Sequence, residues 1–109
     1  MGTSGDFDVR RETLPGAVVV RVEGELDMAS VPELEEAVVA SPSAPQLVID
    51  LTRCTFVDSA GVRALVAAAG GTSERRLALV VTDPGILRVL QITGVDTMVA
   101  VHGSLDAAI

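Results

Sequence analysis

The sequence predicts an α/β domain in which a mixed β-sheet packs against helices, in the order β-β-α-β-α-β-α-β. Short apolar runs rich in Val, Ile and Leu alternate with segments whose apolar residues recur at helical spacing. Strands that alternate with helices are joined by crossover connections, which bring parallel strands together in one sheet. The length of 109 residues fits a single domain over 1–109, with the small, polar residues 1–6 expected to be flexible.

The first two strands are predicted to form a hairpin. Phe7 and Val9 alternate with polar residues, which indicates an edge strand, and the run from Ala17 to Val22 is rich in β-branched residues. The segment Leu14-Pro15-Gly16 lies between them and carries a turn signal. A short link of this kind favours antiparallel pairing of its two flanking strands.

The first helix is predicted over residues 31–40. Its apolar residues, beginning with Val31, recur at helical spacing. Ser30 is followed three residues later by Glu33, which matches a capping box at the start of the helix. The proline-containing segment that follows is expected to end it.

The middle of the chain is predicted to hold a central strand, a loop and a second helix. Leu47 to Leu51 is a nearly continuous apolar run, typical of a strand that is buried on both faces. Thr52 to Ser59 is interpreted as a loop. The helix is expected over Gly61 to Ala69 and is stopped by Gly70-Gly71. Its predicted buried stripe consists of Val62, Leu65, Val66 and Ala69.

A further strand and the third helix are predicted next. Leu77 to Val81 is a second buried strand. Asp83 stands where a helix N-cap is expected, and Pro84 follows at the first helical position. The helix is predicted over residues 84–92 and is ended by Gly94.

The C-terminal segment is predicted to contain the last strand. Met98 to Val101 forms this short strand, and His102 is expected at its end or on the surface. Ser104 is expected to cap a final turn or a short helix. Arg75-Arg76, before the preceding strand, is expected in a solvated turn.

Composition narrows the range of functions. The net charge of −7 disfavours binding to nucleic acid or to anionic membranes. The chain has no Lys, Asn, Trp or Tyr, and its single His102 and single Cys54 make a catalytic or metal site of its own improbable. We therefore expect no enzyme activity, no metal and no cofactor. Neither a signal peptide nor a membrane-spanning run is found, so a cytoplasmic location is expected.

Two polar residues within apolar surroundings have structural interpretations. Asp50 would be costly if buried alone, so it is expected at the end of its strand, bonded to backbone N–H groups of the next loop. Cys54 is expected to be a partly buried thiol and not a redox centre.

The candidate site is the segment Asp58-Ser59-Ala60-Gly61, directly before the second helix. Ligands of such sheets bind at the carboxyl ends of strands, beside helix N-termini. Ser59 has two interpretations, which the residues alone leave open. It caps the helix with its side-chain oxygen, or it accepts a phosphate, which the free N–H groups and the dipole of a helix N-terminus favour.

The outward side of the second helix is a candidate docking face. Small side chains would leave a flat surface that a partner can approach closely. An equally open interpretation is that these alanines are only good helix formers. The predicted face consists of Ala60, Gly61, Arg63, Ala64 and Ala67.

These motifs together resemble the STAS family, and most closely its bacterial anti-sigma factor antagonists. The resemblance rests on Gly24-Glu25-Leu26-Asp27, on Leu47 to Leu51 and on Phe56-Val57-Asp58-Ser59-Ala60-Gly61-Val62. It extends over about residues 7–106 and includes the order of the elements. This chain departs from the family pattern in two respects. Many members have Ser or Thr where this chain has Ala60. The C-terminal helix also looks shorter than usual.

The resemblance implies a regulatory switch without catalysis. Such a protein binds a serine kinase that is also an anti-sigma factor, and thereby frees the sigma factor. The kinase phosphorylates the serine, which breaks the complex, and a phosphatase reverses the change. By this likeness Ser59 is the phosphoacceptor, Asp58 flanks it, and Asp27 lies on the same surface.

Three alternatives to this switch make different demands on the residues. A phospho-receiver domain is disfavoured because its chemistry uses a Lys that the chain lacks. A hydrolase with Ser59 as nucleophile would need a nearby base, and His102 has no visible orienting partner. A STAS-like module that binds a nucleotide, a lipid or a larger signalling assembly without phosphorylation stays open, because Ser59 could be only a cap.

Overall fold

The fold is given by a computed structural model that describes residues 7–41, 43–70 and 76–109. Its centre is a five-stranded sheet in the order β1-β2-β3-β4-β5. The first strand pair is antiparallel and the other three pairs are parallel. This confirms the predicted mixed sheet, with the run Leu47 to Leu51 in its central strand. The expected flexibility of residues 1–6 and the predictions for Gly71 and Arg75 lie outside the described residues.

The predicted hairpin is confirmed, and both of its strands are longer than expected. Strand β1 spans Asp8–Leu14 and strand β2 spans Ala17–Leu26. Leu14 pairs with Ala17, so Pro15 and Gly16 form a two-residue turn. Gly16 has a φ of 77°, which with the preceding proline is the arrangement of a type II turn.

The central strand corrects the loop predicted from Thr52 to Ser59. Strand β3 runs over Gln46–Val57 and pairs with β2 as far as the partners Leu26 and Val57. Two shifts of register interrupt this pairing, so buried residues do not alternate regularly there. Because strand prediction relies on a period of two, the second half of β3 did not resemble a strand.

The first helix, α1, spans Val31–Val39, close to its predicted range. The predicted capping box is wrong, because the Ser30 side chain makes no capping hydrogen bond. The Ser30 hydroxyl is buried and donates instead to the carbonyl oxygen of Glu25, at 2.7 Å. Arg11 donates to the carbonyl oxygen of Ala40, the residue that follows the helix.

The next three elements lie close to their predicted positions. Helix α2 spans Ser59–Gly70, strand β4 spans Arg76–Val80 and helix α3 spans Pro84–Thr93. The Asp83 carboxylate accepts a hydrogen bond from Ile86 N at 2.9 Å, which confirms the predicted cap. Gly94 ends α3 with a φ of 81°, as expected for a left-handed C-cap.

The last strand begins later than predicted. A single 3₁₀ turn occupies Val95–Thr97, and strand β5 spans Ala100–His102. The short helix α4 follows over Leu105–Ala108. Ser104 caps it by accepting a hydrogen bond from Ala107 N at 3.2 Å, as expected.

The two faces of the sheet are covered unequally. The larger buried cluster includes Val20, Leu34, Leu65 and Leu90, so α1, α2 and α3 pack on one face. The opposite face carries a smaller cluster, which α4 covers and which contains Val19, Val48, Ala78, Val80 and Ala108. Helix α4 packs on β4 and β5, at one side of the sheet.

Candidate functional site

The two motifs singled out in the sequence meet in space at the carboxyl ends of β2 and β3. Leu26 and Val57 are paired neighbours at these ends. The backbone N–H of Asp58 donates to the carbonyl oxygen of Leu26 at 3.2 Å. Gly24, with a φ of 99°, lies at one of the register shifts and allows β2 to follow its partner to this point.

Asp58, and not Ser59, caps helix α2. One carboxylate oxygen of Asp58 accepts a hydrogen bond from Gly61 N at 2.9 Å. The other accepts from Met28 N at 3.3 Å, across a separation of thirty residues in the chain. The same side chain therefore satisfies a free N–H group of the helix and fixes the loop between β2 and α1 beside it.

Ser59 is exposed at the first residue of α2. The expected exposure is confirmed, and the capping interpretation is wrong because Asp58 occupies that position. Among the hydrogen bonds of the described residues, none involves the Ser59 hydroxyl. The exposed hydroxyl lies at a helix end whose dipole favours negative charge.

Asp27 organises the loop that joins β2 to α1. Its carboxylate accepts hydrogen bonds from Ala29 N at 3.0 Å and Ser30 N at 3.1 Å. Its carbonyl oxygen accepts from Val31 N at 2.9 Å. Asp27 is half-buried, and its loop lies against Asp58 through the Met28 contact. The predicted proximity of Asp27 to the Asp58-Ser59 segment follows from that contact.

Gly61 and Ala64 correct the predicted docking face. Both are buried, Ala64 within the larger core cluster, so neither lies on the outward side of α2. A Cβ atom on Gly61 would lie 2.6 Å from the carbonyl oxygen of Leu26, which explains why glycine is needed at this close approach. Arg63 and Ala67 are exposed and Ala60 is half-buried, so these three remain available to a partner.

Two exposed apolar side chains near the site were missed in the sequence. Met28 is 77% exposed and Phe56 is 49% exposed. Met28 contacts Asp58 through its backbone N–H, and Phe56 lies two residues before Asp58. Phe56 falls in the predicted loop and Met28 falls between predicted elements, so no hydrophobic periodicity indicates that either side chain is exposed.

An acidic hollow of about 600 Å³ adjoins the Asp27 loop. Its lining contains three carboxylates and a single arginine. The electrostatic potential of the hollow is therefore negative, like the net charge of the whole chain. It is lined by Phe7, Glu23, Gly24, Glu25, Asp27, Ala29, Ser30, Arg53 and Thr55.

Other reactive side chains lie apart from Ser59. Cys54 is buried in the core, burial raises the pKa of its thiol, and its sulfur donates to the carbonyl oxygen of Phe56. His102 lies on β5 and is the register neighbour of Val80 on β4. Strand β5 is the second strand along the sheet from β3, which leads to Ser59. Within 7–41, 43–70 and 76–109, no group of three or more His, Cys, Asp or Glu side chains could hold a metal ion.

Comparison with known proteins identifies the family. A family model described as "Mlab, STAS domain" matches residues 9–106. The chain belongs to the STAS domain family. None of the helices in the described part of the chain has the length and apolar character to cross a membrane. A search of curated proteins finds no match.

Several solved structures that resemble this chain are described as anti-sigma factor antagonists. One, from Mycobacterium paratuberculosis, is 34% identical with a TM-score of 0.88, and the match covers 96% of this chain and 93% of that one. The anti-sigma factor antagonist SpoIIAA in its unphosphorylated form is 21% identical with a TM-score of 0.68 and 93% coverage of each chain. The phosphorylated form of the Bacillus protein SpoIIAA is 20% identical with a TM-score of 0.65, covering 94% and 96%. At these lower identities the SpoIIAA structures show the shared fold alone.

Proposed function

We propose that this chain is an anti-sigma factor antagonist whose binding is switched by phosphorylation of Ser59. In its unphosphorylated form it binds an anti-sigma factor that is a serine kinase, and this binding releases a sigma factor. The kinase transfers phosphate to Ser59 and the complex dissociates, and a phosphatase restores the first form. This role is regulatory rather than enzymatic, and it belongs to the cytoplasm, where sigma factors act.

The observation that carries the proposal is the position of Ser59. Its side chain is exposed at the start of α2, while the neighbouring Asp58 carries out the structural task of capping. A serine that the fold does not need for capping can be modified without removing that hydrogen bond. The helix N-terminus stabilises added negative charge.

The proposed contact surface surrounds Ser59. It consists of the exposed or half-buried Asp27, Asp58, Ala60, Arg63 and Ala67, together with the apolar side chains of Met28 and Phe56. Small residues on α2 allow close approach, and large exposed apolar groups supply area that a partner can bury. The carboxylates and the adjoining acidic hollow favour a partner surface that is basic.

Phosphorylation would change the charge at the centre of this surface. A phosphoserine adds about −1.5 to −2 charges at neutral pH. That charge would stand beside Asp58 and Asp27, which the partner must already match. Loss of one buried charge-assisted pair costs about 2–5 kcal/mol, and each 1.4 kcal/mol is about tenfold in affinity. Arg63, one turn along α2, would pair with the phosphate within the domain.

The test is phosphorylation by candidate anti-sigma kinases with ATP, followed by calorimetric titration. Wild type should gain one phosphate, and Ser59→Ala should gain none while still binding. Phosphorylated protein should bind at least about tenfold more weakly than wild type. Ser59→Asp should weaken binding less, because it brings one charge and two oxygens.

Ser104→Ala is the matched control, since Ser104 is also an exposed serine at a helix N-terminus. It should be phosphorylated and should bind like wild type. Phosphate uptake by Ser59→Ala equal to that of wild type would show that the acceptor is another residue. Equal affinities of all forms would instead favour a STAS module that binds its partner without a phosphorylation switch.

A further inference from the structure

A cleft of mixed charge lies on the sheet face opposite α1, α2 and α3. The residues that line it belong to β1, β2 and β3, whereas α4 packs over β4 and β5 on this face. Its volume of about 340 Å³ is within the range of small-ligand pockets. It is lined by Asp8, Arg10, Arg21, Val22, Glu23, Asp50, Thr52 and Arg53.

Asp50 is the unusual member of this cleft. Asp50 is only 7% exposed. It lies within β3 and not at the strand end, where the sequence predicts it. One carboxylate oxygen accepts a hydrogen bond from Thr52 N at 3.0 Å, beside a register shift. Among the described residues, the other oxygen has no hydrogen-bond or ion-pair partner. A buried carboxylate oxygen without a donor is unfavourable, so this atom can accept from a ligand.

Arginines surround this carboxylate without pairing with it. Arg21 is the register neighbour of Asp50 on β2, and Arg10 is the register neighbour of Arg21 on β1. Arg21 nevertheless pairs with Glu12 at 2.7 Å, and Arg10 pairs with Asp8 at 2.7 Å. The ion pair of Arg53 with Glu23 is long, at 3.9 Å.

These ion pairs leave the guanidinium groups available. Their side chains are 48% to 79% exposed, and exposed ion pairs contribute little to stability. Each guanidinium has five N–H donors, of which such a pair uses only one or two. The arginines can therefore bind an anionic group of a ligand without loss of structure.

The charges of the cleft define the class of ligand. Asp8, Glu23 and Asp50 oppose Arg10, Arg21 and Arg53, so the lining is balanced although the whole chain has a charge of −7. The buried carboxylate would repel a simple anion, and the arginines would repel a simple cation. A molecule with an ammonium group for Asp50 and a carboxylate for Arg21 satisfies both.

We propose that this cleft binds a small zwitterion of the amino-acid type, with its ammonium group on Asp50 and its carboxylate on Arg21. The inference goes beyond the proposed switch and does not require that Ser59 be phosphorylated. Glu23 and Arg53 also line the hollow that reaches Asp27, so the two surfaces are neighbours.

The test is a titration of small-molecule probes into the full chain, in which nuclear magnetic resonance monitors the backbone amide signals. The zwitterionic probes are glycine, 4-aminobutyrate and L-alanine, and butyrate and butylammonium each retain one charge of 4-aminobutyrate. At least one zwitterion should shift the amide signals of Arg21, Thr52 and Arg53, more strongly than either single-charge probe. Absence of shifts with all three zwitterions would overturn the proposal, as would equal shifts with butyrate alone.

Asp50→Asn is the decisive variant, because the asparagine oxygen can still accept from Thr52 N while the charge is removed. It should weaken binding of the zwitterion at least about tenfold. Asp96→Asn makes the same change of charge at an exposed site outside the cleft and should bind like wild type. If Asp50→Asn does not fold, Arg21→Gln tests the other end and should also weaken binding about tenfold. Unchanged affinity in a folded variant of either residue would overturn the assignment.

Discussion

Four consecutive residues, Asp58 to Gly61, have four different environments. Asp58 accepts two backbone hydrogen bonds, Ser59 is exposed, Ala60 is half-buried and Gly61 is pressed against Leu26. The change of environment within one turn follows from the sharp passage from β3 into α2. The exposed Ser59 hydroxyl thus stands between Asp58, which is held by two hydrogen bonds, and Gly61, which is packed against Leu26.

Gly61→Ala is expected to destabilise the protein although alanine is a better helix former. Its Cβ would lie 2.6 Å from the carbonyl oxygen of Leu26 and 2.9 Å from a methyl group of Val57. Overpacking of this kind costs about 1–3 kcal/mol, measurable by urea unfolding. Gly70→Ala is the control, because among the described residues outside its own helix no atom lies within 4 Å of the added Cβ, and it should be neutral or slightly stabilising. Equal stabilities of the two variants would contradict the close approach.

At the scale of elements, the site depends on two loops that are bonded to each other. The loop after β2 is closed by Asp27 and Ser30, and Asp58 joins it to the start of α2. The buried Ser30 hydroxyl accepts from Asp27 N at 2.9 Å while donating to Glu25. Hydrogen bonds therefore connect the two loops, which favours a single arrangement of the proposed contact surface.

Asp58→Ala should destabilise the fold more than Asp83→Ala does. Each variant removes a helix cap worth about 1 kcal/mol, but only Asp58 also accepts from Met28 N in another loop. Asp58→Asn keeps an acceptor oxygen and should lose less. Thermal and urea unfolding of the three variants would measure this order, and a reversed order would show that the bond between the loops contributes nothing.

At the scale of the whole molecule, the unequal cover of the sheet separates two surfaces. The face under α1, α2 and α3 holds the larger core, and the opposite face carries a smaller apolar cluster that α4 covers. The part beside β1 and β2 carries the charged cleft. The proposed switch lies at the carboxyl ends of the strands, so modification there leaves the large core untouched.

Substitutions in the two clusters should lower the free energy of unfolding by different amounts, but each variant should still unfold cooperatively. Leu90 is fully buried in the larger cluster, and Leu90→Ala should cost about 2–5 kcal/mol. Leu105 is only half-buried on the smaller cluster, so Leu105→Ala should cost less. Because both clusters share one sheet, calorimetry should record a single transition in each variant. Two transitions in Leu105→Ala would mean that the smaller cluster unfolds independently.

Local chemistry was sufficient to predict most of the architecture. The hairpin turn, the Asp83 cap, the Gly94 end of α3 and the apolar strand Leu47 to Leu51 follow from backbone preferences and hydrophobic periodicity. These features depend on residues close together in the chain. The exposure of Ser59 also agrees with the expectation for a polar residue at the start of a helix, whereas Ser30 at the start of α1 is buried.

Tertiary structure alone decided how the site is built. The second half of β3 is a strand because β2 extends beside it, Asp58 displaces Ser59 as the cap, and Gly61 and Ala64 turn inward. The capping motif at Ser30 was overridden by Glu25 and Asp27, and Asp50 was buried within its strand. In each case the sequence around the residue permits more than one partner. The choice depends on the register of β2 against β3 and on the packing of α2 over their ends, contacts between residues far apart in the chain.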